Sequence, residues 1–139
     1  MFSSLTSCDR ESAAILQYIV DKYDKEHKIS IAPGTDEYYI QLQWLYFQAS
    51  GQGPLFGQAD WFTNYHPEKV PGAIERYTKE INRVFSVLES VLTKREWLVS
   101  NKATVSDFVF VTYVCFEHWG QRLCRFSAND VMQVDQRCS

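Results

Sequence analysis

The stretch 103–116, Ala-Thr-Val-Ser-Asp-Phe-Val-Phe-Val-Thr-Tyr-Val-Cys-Phe, is apolar on nearly every side, so other protein has to enclose whichever regular structure it adopts. Its β-branched and aromatic residues favour a buried strand on propensity alone. Against that, Thr104 and Asp107 have the spacing of a helix capping box. In such a box the Thr104 hydroxyl accepts from the Asp107 N–H, and the Asp107 carboxylate reaches back to the Thr104 N–H. Ala103 and Phe108 are spaced to form a small staple around the same turn. The pattern predicts a buried helix over 104–116, a core strand being the alternative.

Enough apolar material exists to wrap it. Apolar residues make up 45% and aromatics 15% of 139 residues, a single-domain length that buries about 68% of its unfolded surface. The net charge is −3 with no basic run behind it, which argues against nucleic acid and anionic membranes as partners. No stretch approaches the roughly 20 apolar residues of a membrane span, and residues 1–8 are too short and polar for a signal peptide. Cys8, Cys115, Cys124 and Cys138 lie far apart, with no Cys-x-x-Cys pair and no glycosylation sequon. Reduced thiols and a cytoplasmic address are the expectation.

Residues 1–10 show no periodicity and read as a lead-in. From Glu11 onward Ile15, Leu16, Ile19, Val20 and Tyr23 recur at helical spacing, which predicts an amphipathic helix starting near Ser12. Pro33-Gly34 signals a turn, and Thr35 before Asp36 and Glu37 is a helix start with acidic residues at the positive end of the dipole. That second helix is predicted to run through Trp44 and Phe47 and to stop near Gly51, at Gly51-Gln52-Gly53-Pro54. Residues 55–66 then read as a connection carrying Phe56, Trp61, Phe62 and Tyr65, either a pocket wall or core under a loop. Val70, Ile74, Tyr77, Ile81, Val84, Phe85, Leu88, Val91 and Leu92 step by three or four. This is a long helix, whose opposite face of Glu75, Arg76, Lys79, Glu80, Arg83 and Glu89 is solvated. Beyond Phe116 only a weak helical pattern remains.

Little in the chain looks like metal or phosphate chemistry. His27, His66 and His118 are widely separated, and Cys115, His118 and Cys124 lack ligand spacing, so no metal site is predicted. Gly51-x-Gly53 follows a helix rather than a strand and lacks the remainder of a phosphate-loop motif. Glu11-Ser12 at the mouth of the first helix is the exception. Free N–H groups and the helix dipole let Ser12 hold a carboxylate while Glu11 holds an ammonium, which together suit an α-amino acid zwitterion. The alternative is an ordinary N-cap at Ser12 with Glu11 solvated.

Glu11-Ser12-x-Ala14-Ile15, leading into Leu16-x-Tyr18-Ile19-x-x-Lys22-Tyr23, is similar to the last helix of the thioredoxin-like half of glutathione transferases. Further pieces follow in the family's order. Gln43-Trp44-Leu45-Tyr46-Phe47-Gln48-Ala49-Ser50-Gly51-Gln52-Gly53-Pro54 resembles the first helix of the transferase C-terminal domain, continued by Gly57-Gln58-Ala59-x-Trp61-Phe62. Glu75-Arg76-Tyr77-Thr78-Lys79-Glu80-x-x-Arg83-Val84 and Trp97-Leu98-Val99-x-Asn101-Lys102-x-Thr104-Val105-Ser106-Asp107 complete the set. The chain resembles, over residues 11–113, the fungal and bacterial transferases related to the yeast nitrogen-catabolite regulator.

The resemblance implies an all-α fold in which residues 1–28 are the remnant of a truncated thioredoxin-like glutathione-binding domain. Residues 35–139 would then be the helical C-terminal domain, with 115–139 a divergent or truncated tail. It implies that Glu11 and Ser12 hold the γ-glutamyl end of glutathione, the co-substrate, and that Trp44, Phe47, Phe56, Trp61 and Tyr113 line the pocket for a small hydrophobic electrophile. Thr104 and Asp107 remain structural. The family's thiol-activating residue lies upstream of Glu11, where this chain has ten residues, so no catalytic residue is assigned and glutathione is expected to bind weakly. The implied activity is glutathione conjugation or glutathione-dependent redox exchange. The alternative is a non-catalytic helical module that binds hydrophobic ligands. Partners implied are a second copy or a full-length relative.

Overall fold

The computed structural model describes residues 10–114. Residues 115–139, including the end of the predicted 104–116 helix, the weak C-terminal pattern and three of the cysteines, lie outside the described residues, as do residues 1–9 with Cys8. Five α-helices are described: α1 (Ser12–Tyr23), α2 (Asp36–Phe47), α3 (Gly53–Asp60), α4 (Pro71–Leu92) and α5 (Val105–Val114). No strand occurs among the described residues, as expected for an all-α chain.

Local chemistry sets most of the boundaries. Gly34, at φ 89°, takes a left-handed conformation that other residues adopt only with strain. The Thr35 hydroxyl then accepts from the Tyr38 N–H at 3.2 Å and so caps α2. Pro71 opens α4 where its missing N–H has no helical partner to lose.

The second helix does not end at Gly51. After Phe47 the chain widens into a π-helical turn (Gln48–Gln52) and continues directly as α3, which ends in a second π turn (Trp61–Tyr65). The Gly53 N–H reaches back five residues to the Gln48 carbonyl. Pro54 therefore falls in the first turn of α3, where its ring and absent N–H are tolerated. The predicted connection over 55–66 is thus largely helical, because the glycines and proline that end an α-helix are accommodated by one wide turn.

The core lies between α2, α3, α4 and α5. α4 contributes Ile81, Phe85, Leu88 and Leu92, α2 contributes Trp44 and Leu45, and α3 contributes Phe56 and Ala59. Each buried Ile, Leu or Phe among them stabilises the fold by about 1.5–3 kcal/mol on burial. Val105, Val109 and Phe110 of α5 fill the centre, with Phe110 fully enclosed. Phe108, at 42% exposure, is the departure from a helix apolar and covered all round, and it leaves the predicted staple with Ala103 open to solvent.

The capping box is realised in one half and rearranged in the other. The Asp107 carboxylate accepts from the Thr104 N–H at 2.8 Å, as predicted. The Thr104 hydroxyl, however, donates to the same carboxylate at 3.0 Å, while the Asp107 N–H bonds to the Thr104 carbonyl at 2.9 Å. A short i,i+3 backbone bond satisfies that N–H, so the hydroxyl is not needed as its acceptor. The second carboxylate oxygen accepts from the Leu98 N–H at 2.9 Å, which ties the preceding loop to α5.

Candidate functional site

α1 begins one residue earlier than an ordinary serine cap at Ser12 requires. Ser12 is the first helical residue, Glu11 occupies the cap position, and the Glu11 side chain does not cap. The first helical bond runs from the Ile15 N–H to the Glu11 carbonyl at 2.9 Å, which leaves the Ser12, Ala13 and Ala14 N–H groups without helical partners. Both Glu11 and Ser12 are exposed. Glu11 also has φ 61° and ψ 101°, a backbone conformation that costs a non-glycine residue about 1–3 kcal/mol. Ser12 therefore does not occupy the cap position, and Glu11 is solvated as the alternative reading has it. The helix mouth presents donors and a partial positive charge beside a carboxylate.

The aromatic residues named from the sequence do not share one surface. Trp44, 5% exposed, packs edge-on against Phe47 at 5.7 Å and Phe110 at 6.1 Å. Phe56, 4% exposed, packs edge-on against Phe85 at 5.7 Å and Tyr113 at 5.5 Å. Phe47 and Tyr113 are half-buried against this core. Trp61 is 48% exposed and stacks on Tyr65 at 6.4 Å. Trp44 and Phe56 therefore belong to the bundle interior, Phe47 and Tyr113 to its margin, and Trp61 to the outer surface.

Buried polar side chains that periodicity did not single out continue from α2 into the first π turn. Gln41 is fully enclosed. Its Oε1 accepts from the Ile31 N–H at 3.0 Å, and its carbonyl accepts from the Ser106 hydroxyl at 3.1 Å. Gln48 and Gln52 are buried in the π turn and approach each other at 3.4 Å. The signal that marks them is their spacing in phase with Trp44 and Leu45. At the base of α1, Asp24 gathers the following loop by accepting from the Lys28 and Ile29 N–H groups and the Ser30 hydroxyl at 2.8, 2.9 and 2.8 Å. Burial pushes the Asp24 carboxyl up, but these bonds, together with the charge of His27, leave it below its ordinary value. No group of His, Cys, Asp and Glu among the described residues could hold a metal ion, and no described helix is long and apolar enough to cross a membrane.

An all-helical bundle entered through a helix with an uncapped N-terminus defines the class of protein, and the comparisons give the family. The sequence profile described as "Glutathione S-transferase, C-terminal domain" matches residues 54–123. Glutathione S-transferase 1 of Schizosaccharomyces pombe is 52% identical over 103 residues, which cover 74% of this chain and 45% of that protein. The glutathione transferase URE2P8 of Phanerochaete chrysosporium, solved with oxidized glutathione, superposes with a TM-score of 0.73 at 56% identity over 84% of this chain and 50% of that one. Ure2p5 of the same organism, cocrystallized with 1-(S-glutathionyl)-2,4-dinitrobenzene, gives 0.73 at 52% identity over 85% of this chain and 53% of its own. The chain belongs to the glutathione S-transferase family and carries its C-terminal domain. Within that family its relatives are those akin to the yeast nitrogen regulator URE2. The chain spans about half the length of the curated relatives it matches.

Proposed function

We propose that the chain supplies the helical, electrophile-facing half of a glutathione transferase, together with the helix that receives the γ-glutamyl end of glutathione. In this reading residues 1–28 belong to the thioredoxin-like half and residues 35–139 to the helical half. The observation that carries it is the mouth of α1, where a non-capping Glu11 in a strained conformation stands beside Ser12 and free N–H groups. Backbone strain of this kind persists where a ligand clamp needs a set geometry. The glutathione and glutathione-conjugate complexes of the Phanerochaete relatives support glutathione as the ligand and a hydrophobic electrophile as its partner. Phe47 and Tyr113, half-buried at the bundle margin, are the aromatic residues best placed to meet that electrophile.

Titration calorimetry of the 139-residue chain with glutathione tests this assignment. Because only one end of the tripeptide is held, binding is expected in the millimolar range, about −4 kcal/mol, and Ser12→Ala should weaken it severalfold. Binding that ignores Ser12→Ala removes the site. The exposed stack of Trp61 on Tyr65 favours a second reading, a non-catalytic module that binds hydrophobic ligands or pairs with a longer relative. Tight binding of the dinitrophenyl conjugate, with no response to glutathione itself, would select that reading.

A further inference from the structure

We propose that residues 24–31 form a polar clamp that makes α1 a separately releasable element, able to open as a unit while the α2–α5 core stays folded. Among the described residues of α1, Val20 is the one fully buried, with Ala13 and Leu16 half-covered against the core. Ile19 and Tyr23 face solvent. The apolar hold on this helix is therefore small, and the Gln17 amide adds a long contact of 3.4 Å to the Tyr38 hydroxyl.

The fastening at its base is polar and reaches two other elements. Asp24 draws the chain back over itself through Lys28, Ile29 and Ser30. The His27 N–H bonds to the Asp24 carbonyl at 3.0 Å, and with φ 51° His27 turns its own carbonyl to the Lys102 ammonium. The Ile29 carbonyl accepts from the Val105 N–H at 2.9 Å, and the Ile31 N–H donates to Gln41. The loop is thereby bound to α2 and to the start of α5. Asp24 and Lys102 lie outside the apolar cluster, so their loss should free α1 without opening the core.

Hydrogen–deuterium exchange on the full 139-residue chain, resolved by peptide, reads this directly. In the wild type the amides of residues 16–23 should exchange through a smaller opening than those of residues 81–92. Lys102→Met, which loses one charged hydrogen bond, should accelerate 16–23 by about tenfold, Asp24→Ala, which loses three, should do so by at least as much, and both should leave 81–92 within about twofold. Leu88→Ala, which weakens the core, should accelerate 81–92 far more than 16–23. Equal acceleration of both segments in the clamp variants overturns the proposal, since α1 would then open only with the whole fold. So does an unchanged 16–23 in both variants, or loss of the core in either.

Discussion

Asp107 receives three hydrogen bonds at 5% exposure, two from Thr104 and one from the Leu98 N–H. Truncation to alanine leaves two buried backbone donors unpaired, so Asp107→Ala should cost about 3 kcal/mol. A denaturant midpoint close to that of the wild type would show that these bonds are not what holds α5. Asp24 differs in kind because it is reached by solvent and its effect depends on pH. Its folded value lies below the ordinary carboxylate value of about 3.9, so its contribution is fully present above that value and is lost as pH falls through the folded one. The difference in thermal midpoint between wild type and Asp24→Ala should hold steady from about pH 7 to 5 and shrink below about pH 4. A difference that grows in acid contradicts this account.

At the scale of elements, the packing of α3 on α4 decides which aromatics build the fold. Phe56 and Phe85 meet edge-on at 5.7 Å, both nearly fully buried. Phe56→Ala and Phe85→Ala should each cost about 3–5 kcal/mol, and the double variant should show a coupling of about 0.5–1.5 kcal/mol between the rings. Trp61 comes one residue after α3, in the second π turn, and at 48% exposure Trp61→Ala should stay within about 1 kcal/mol. Chemical denaturation of the four variants checks both statements together. A Trp61→Ala cost equal to that of Phe56→Ala would place Trp61 in the core after all.

For the whole molecule, the proposed glutathione site and the requirements of catalysis pull apart. A transferase has to stabilise the glutathione thiolate, whose thiol titrates near 8.5 when free, with a donor or positive dipole aimed at the sulfur. In the proposed reading Glu11 and Ser12 take the opposite end of the tripeptide, and the aromatic margin of the bundle takes the electrophile. The 139-residue chain by itself should therefore give no conjugation of glutathione to 1-chloro-2,4-dinitrobenzene above the uncatalysed rate. Turnover clearly above background and lost on Ser12→Ala would show that some group in this chain activates the thiol.

Helical spacing over 15–23, 36–47 and 70–92, the cap at Thr35 and the Thr104–Asp107 pair are relations between residues within a few positions of each other. The sequence by itself therefore determined the helical class and most helix starts, while the family came from the resemblance of its ordered motifs over residues 11–113. It did not reveal that Gly53-Pro54 continues a helix, because a π turn differs from a stop only in where one N–H points. Nor did it separate Trp44 from Trp61, since an aromatic at helical spacing is core or surface according to the helix packed against it. The polar ties have the same origin. Lys102 meets the His27 carbonyl across 75 positions and Ser106 meets the Gln41 carbonyl across 65. Periodicity records which face of a helix is apolar, and only the packed fold decides what that face meets.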